Sequence, residues 1–170
     1  MGRDKALLPL DGQAMSLALA EKYKILGPVA FSVDRKGRFP IGDFGELADH
    51  FPGCGPLNGI VSAFKDTDED VAFLTATDMP GGSVEAVMEL LRGLEGYDAC
   101  IFRGEPLFGV YHRDCLSAAL ECLQAGENSM RGFLSRIRVN ELELLNRTTT
   151  INLNTPEEFD RFIEKKCEVL

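Results

Sequence analysis

Val71-Ala72-Phe73-Leu74-Thr75-Ala76-Thr77-Asp78-Met79-Pro80 is the stretch on which the fold turns. Its first four residues form a short apolar run, as expected of a buried strand. Pro80 has no amide hydrogen and cannot extend a ladder, so the chain is expected to leave the sheet at Asp78. In an open α/β sheet, ligands bind beyond the carboxyl ends of the strands. A carboxylate there can hold a hard cation such as Mg²⁺ against phosphate oxygens. The plainer alternative is that Asp78 caps a turn, or the helix expected to begin near Ser83, since turns favour aspartate.

Outward from this stretch, strand-like and helical segments alternate. Met15, Leu19, Tyr23 and Leu26 mark one helical face, ended by Gly27-Pro28. Val29 to Val33 reads as a strand, and the polar, Gly/Pro-punctuated stretch from Asp34 to Gly45 as a loop. A second helix is expected from Pro56 to Phe64, and a third on the face of Val84, Val87, Met88 and Leu91. Asp98–Arg103 and Leu107–Tyr111 look like two strands with a short connection. Helices follow around Leu116–Leu123 and after Asn128-Ser129, and Val139–Leu145 has strand character. A last helix begins at Thr155-Pro156, where Thr155 can cap, Pro156 suits the first turn and Glu158 completes a capping box. Phe159, Phe162 and Ile163 form its apolar stripe. Such alternation predicts a single α/β domain over residues 1–170, built on a central, mainly parallel sheet.

Composition narrows the function classes. The chain has 170 residues, 45% of them hydrophobic and 26% charged, within the ordinary range for a globular protein. A net charge of −9 argues against broad electrostatic binding of nucleic acid or an anionic membrane. An anionic small substrate stays open, because a metal ion and a few placed cations can neutralise it locally. No apolar run reaches membrane-spanning length and no signal-peptide pattern opens the chain, which makes the cytoplasm the expected compartment. The 5 cysteines are odd in number and none pairs as C-x-x-C, so core thiols are expected.

Three further segments could carry chemistry. In Met1-Gly2-Arg3-Asp4-Lys5 an ammonium sits beside a flexible turn, where it can reach phosphate oxygens; a solvated terminus is the alternative. Gly53-Cys54-Gly55-Pro56-Leu57-Asn58-Gly59 leads into an apolar helix. Its glycines let backbone approach a ligand, or it is an ordinary loop-to-helix junction. Asn152-Leu153-Asn154 places two amides on one side of an extended segment. They can read a polar heterocycle or a phosphate, or serve as turn residues before the last helix.

Four pieces occur in one order: M-G-x-D-K, G-P-L-x-G, T-D-M-P and N-x-N-T-P-E-E. Together they resemble the molybdenum cofactor guanylyltransferase family (MobA type), and the likeness runs from the first residues to about Phe162. It implies a three-layer, Rossmann-like nucleotidyltransferase domain. It also implies a reaction in which the phosphate of molybdopterin, with or without molybdenum, attacks the α-phosphorus of GTP and releases pyrophosphate.

By the same resemblance, Lys5 contacts the nucleotide phosphates and Asp78 binds Mg²⁺, the implied cofactor. Asp49 belongs to the GTP site, with Gly55, Pro56, Leu57 and Gly59 as the nucleotide-binding turn. Ser32 stands near the nucleotide, where the family often has asparagine. Asn152 and Asn154 face the pterin. The implied partners are GTP and molybdopterin, with contact to other molybdenum cofactor biosynthesis proteins. Family members carry a strand and a Gly-rich loop ahead of M-G, so residues are expected to precede Met1.

Two other readings fit these residues. One is a different small-molecule nucleotidyltransferase, cytidylyl or sugar-phosphate, with the same lysine and aspartate and another base pocket. The other is a non-catalytic nucleotide-binding domain.

Overall fold

The computed structural model describes residues 7–10, 12–37 and 42–144, together with 158, 161 and 162. Strands β1 (Pro9–Leu10) and β2 (Gln13–Ala14) form a small hairpin that leads into helix α1 (Met15–Tyr23). Next come β3 (Ala30–Val33), β4 (Gly45–Ala48), α2 (Pro56–Asp66), β5 (Val71–Thr75) and α3 (Val84–Gly93). β6 (Ala99–Phe102), β7 (Glu105–His112), α4 (Leu116–Gln124), α5 (Met130–Leu134) and β8 (Val139–Leu142) follow.

Four of these strands form one sheet in the order β5-β7-β6-β8. β7 is antiparallel to both β5 and β6, while β8 is parallel to β6. β5, β6 and β8 therefore share one direction and β7 alone opposes them. The reversal has a local cause. β6 and β7 are joined only by Arg103-Gly104, and so short a connection can return the chain only antiparallel. Gly104 supplies the positive φ, +82°, that this turn needs. β3 and β4 form a separate parallel pair.

Helices cover both faces of the four-stranded sheet, which gives three layers. Alternation along β6 and β7 sends Cys100, Phe102, Phe108 and Val110 to one face, among Met15, Leu19 and Tyr23 of α1 and Val87 and Leu90 of α3. Ala99, Ile101 and Tyr111 face the other way, among Leu57, Ile60, Val61 and Phe64 of α2, Ala119, Cys122 and Leu123 of α4 and Phe133 of α5. Both faces of these strands are buried, which is why their sequence reads as nearly continuous apolar runs. Phe162 is helical and packs against the first of these clusters. Thr155, Pro156, Phe159 and Ile163 of the expected last helix lie outside the described residues.

Three expectations need correcting. The expected loop ends in strand β4, whose sequence Gly-Glu-Leu-Ala offers one large apolar residue and too little pattern to reveal it. α1 stops at Tyr23, with a turn over Lys24–Leu26 instead of a last helical turn. β8 stops at Leu142, where its partner β6 ends in the 103–104 turn.

Polar groups fasten the layers where the chain changes direction. Arg113 donates to the carbonyls of Phe64 (2.6 Å), Thr67 (2.8 Å) and Glu69 (2.6 Å), and so satisfies the carboxyl end of α2. The Asp98 carboxylate accepts from the Arg138 backbone N–H and from its guanidinium, at 2.8 and 2.7 Å, tying the start of β6 to the start of β8. The hydrogen bond from the Arg138 side chain holds the Asp98 carboxyl below the usual carboxylate range, against an upward push from burial.

A carboxylate depressed on folding stabilises the fold above its unfolded pKa and loses that contribution as pH falls through the folded pKa. Asp98→Asn is therefore expected to lower the thermal midpoint at pH 7, with the gap from the parent closing as pH falls below about 4. Melting curves at pH 7 and pH 3 check this, and an equal gap at both would contradict it.

Candidate functional site

The candidate site forms where the carboxyl ends of β3 and β5 meet the first turns of α2. Gly59 marks the junction. A Cβ added there would lie 3.3 Å from Ser32 Oγ on β3 and 3.6 Å from Leu74 Cδ1 on β5. Both neighbours stand one residue before their strands end, so the two ends lie side by side beneath α2. Ser32 is exposed at this edge, and its hydroxyl makes a long, 3.4 Å contact to the Asp49 carboxylate. Asp49 follows directly on β4, and its N–H donates to Val33 C=O at 2.9 Å.

The loop from Asp49 to Gly55 is shaped by glycine. Gly55 has φ +66° and ψ −155°, a region open in practice to glycine alone, and Gly53 has φ +80°. Pro56 starts α2 at the position where a missing N–H costs nothing. Gly55 and Pro56 are exposed, whereas Leu57 is fully buried in the core. Leu57 therefore anchors the turn, and Gly55 and Pro56 are what the turn presents to solvent.

Two residues that the sequence reading passed over hold Asp49 in place. Asn58 and Ser62 are 0% exposed and one helical turn apart on α2. Asn58 Oδ1 accepts the Phe51 N–H at 2.9 Å, and Ser62 Oγ donates to Ala48 C=O at 3.0 Å. Together they clamp the backbone on both sides of Asp49. Their signal was available: two polar residues interrupt the apolar face of Pro-Leu-Asn-Gly-Ile-Val-Ser-Ala-Phe at i, i+4 spacing.

Asp78 lies in the turn after β5, half-buried, between Ala76 and the buried Met79, whose N–H donates to Ala76 C=O at 3.2 Å. It does not cap α3. Ser83 does, its Oγ accepting the Ala86 N–H at 3.1 Å. Among the described residues no group of three or more His, Cys, Asp and Glu could hold a metal ion. A lone carboxylate still fits Mg²⁺, which is commonly held by one or two carboxylates together with substrate phosphates and waters.

The histidines are occupied elsewhere: His50 Nε2 lies 2.8 Å from Asp66 Oδ1, and His112 Nδ1 lies 3.2 Å from Asp114 Oδ2. Cys100, Cys115 and Cys122 are buried and free, as expected of core thiols, and burial pushes Cys100 up to about 11 and Cys115 up to about 12. Lys5, Asn152 and Asn154 lie outside the described residues.

The MobA-like NTP transferase domain profile matches residues 1–142. The chain belongs to this family. A probable molybdenum cofactor guanylyltransferase of Opitutus terrae is 30% identical over 95% of this chain and 87% of its own length. Another, from Carboxydothermus hydrogenoformans, is 25% identical over 96% and 89%. The MobA-like fold is equally plain in three dimensions. Molybdopterin-guanine dinucleotide biosynthesis protein A from Archaeoglobus fulgidus superposes with a TM-score of 0.83 at 22% identity, covering 99% of this chain and 93% of that one. The 2-C-methyl-D-erythritol 4-phosphate cytidylyltransferase of Thermus thermophilus superposes with a TM-score of 0.73 at 12% identity, covering 98% and 94%. These likenesses place the described layers within the nucleotidyltransferase fold.

If Asn58 clamps the loop as described, Asn58→Ala leaves the partly buried Phe51 N–H without this acceptor. Urea unfolding should show a loss of about 1–3 kcal/mol. A change within about 0.5 kcal/mol, the usual range for a surface substitution, would show that the clamp contributes nothing.

Proposed function

We propose that this protein is a molybdenum cofactor guanylyltransferase, which transfers GMP from GTP to molybdopterin with release of pyrophosphate. The observation that carries the proposal is the convergence of Ser32, Asp49 and the Gly55–Gly59 turn at one edge of the fold, beside the end of β5 that leads to Asp78. Family membership and the guanylyltransferase relatives at 25–30% identity support the same reading.

Nucleotidyl transfer requires positioning and charge neutralisation more than covalent help. An oxygen of the acceptor's phosphate attacks the α-phosphorus of GTP, the bond to the bridging oxygen of pyrophosphate breaks, and pyrophosphate leaves. The attacking phosphate is already ionised, so the chain needs no general base, in keeping with two histidines paired to surface aspartates. Gly55, exposed at the start of α2, lets the backbone approach the nucleotide, and its own N–H can donate to it, whereas Pro56 has no N–H and that of Asn58 goes to Gly55 C=O at 3.1 Å. Ser32 and Asp49 offer hydrogen-bonding groups at the same edge.

Asp78 is the residue that would hold Mg²⁺, and Lys5 would contact the triphosphate. When bound, Mg²⁺ supplies charge neutralisation across the phosphate oxygens. Asn152 and Asn154 would face the pterin. Among the described residues no helix is long and apolar enough to cross a membrane. The proposed setting is the cytoplasm, with contact to other proteins of molybdenum cofactor biosynthesis.

Turnover assays with molybdopterin as acceptor test the proposal, with GTP expected to be used and CTP not. Preference for CTP would make it a cytidylyltransferase, and no turnover with either would leave a nucleotide-binding domain.

Asp78→Asn should reduce turnover by at least about a hundredfold, because a neutral amide binds Mg²⁺ poorly, and should leave the melting temperature close to that of the parent. Near-parental turnover would remove Asp78 from the mechanism. In binding titrations Lys5→Ala should weaken GTP and CTP by the same factor, and a loss confined to one base would place Lys5 at the base instead.

A further inference from the structure

The turn that carries Asp78 is held from outside its own strand. Met79 and Pro80 are buried, and Gly82 is seated so closely that a Cβ there would collide with the Phe108 ring and lie 2.5 Å from the Tyr23 hydroxyl. Buried carbonyls on such a turn need donors. Two of them find the same one. Lys22, in the last turn of α1, donates from Nζ to Pro80 C=O at 2.7 Å and to Gly82 C=O at 2.9 Å. The ammonium also lies 5.6 Å from the centre of the Tyr23 ring.

We infer that Lys22 is a positioning residue for the Asp78 turn. The two carbonyls bracket Gly81 and begin two residues after Asp78. A bond to either alone would leave the turn free to pivot, whereas one ammonium bonded to both fixes its orientation against α1. Charge-assisted hydrogen bonds of this kind are stronger than neutral ones, and the partly buried setting strengthens them further. A carboxylate on an untethered turn would sample many positions. Nucleotidyl transfer depends on holding the phosphate-bearing groups within a fraction of an ångström. Lys22 therefore acts through the turn and not on the substrate.

The aromatic contacts beneath the turn complete the seat. Tyr23 meets Phe73 edge to face at 5.0 Å, and Phe73 meets Phe108 in the same manner at 5.0 Å. α1, β5 and β7 thus form one rigid base, and Lys22 ties the turn to it. Because the catalytic consequence rests on the guanylyltransferase reading, the test has one arm that does not.

Lys22→Met keeps length and removes the charge and all three donors. Lys22→Arg keeps both. In hydrogen–deuterium exchange on the full chain, Lys22→Met should speed exchange in peptides spanning residues 76–83 about tenfold, as loss of a charged hydrogen bond predicts, and leave the sheet peptides unchanged. In turnover assays it should lower kcat about tenfold with KM for GTP nearly unchanged, the pattern of a group that matters in the transition state and not in ground-state binding. Lys22→Arg should recover most of both.

Parental exchange at 76–83 in Lys22→Met would overturn the inference, as would a loss of protection spread evenly over the molecule or an arginine variant no better than the methionine one. Should Lys22→Met fail to fold, Lys22→Gln takes its place under the same criteria. If the parent itself does not transfer GMP, the functional reading fails while the exchange arm still decides the role of Lys22.

Discussion

The seating of α2 against the ends of β3 and β5 is the constraint on which the rest of the site depends. Gly59 suits it, since even a Cβ there would lie 3.3 Å from Ser32 Oγ, tighter than an ordinary contact, and would touch Leu74. With the helix that close, Asn58 and Ser62 reach the backbone on either side of Asp49, and Gly55 can turn the chain into α2 with a backbone that only glycine adopts. Small residues at the contact and polar residues beside it thus divide the work. One group sets the distance, the other sets the direction in which the loop points.

The electrostatic problem is the opposite of the one the composition suggests. A chain of net charge −9 is proposed to bind a triphosphate and a phosphorylated pterin. Long-range attraction cannot supply the affinity, so under the proposed function it would have to come from groups placed at short range, with Lys5, Mg²⁺ and the backbone at Gly55 as the proposed sources. Lys22 shows that cations in this fold also serve as structure. Its ammonium donates to two carbonyls of the turn that carries Asp78. Arg113 does the same for the carboxyl end of α2.

Buried two-sided strands explain the robustness of the central sheet. β6 and β7 bury residues on both faces, and their close contacts leave little room for change: a Cβ at Gly109 would lie 2.7 Å from Ile101 Cγ2, and one at Gly93 would lie 2.7 Å from Cys100 Sγ. Gly93 thus lets α3 approach the sheet closely, on the face that it shares with α1.

The sequence by itself determined the alternation of strands and helices after the β1–β2 hairpin, which it did not show, and the residues that mark the family. These are local or short-range properties: the apolar run before Asp78, the 3.6-residue stripe of α3, and Pro56 at a helix start. Strand β4 escaped because a short edge strand with one large apolar residue carries no period to read. The reversed direction of β7 followed from a two-residue turn whose length, not its composition, decides the matter.

Only the tertiary structure decided which residues meet. Asn58 reaching Phe51, Ser62 reaching Ala48 and Lys22 reaching Pro80 and Gly82 join positions 7 to 60 residues apart. No periodicity records such a meeting. It exists because two helices are packed against one sheet at distances that glycine and buried side chains set, and the hydrogen bonds form only once that packing is complete.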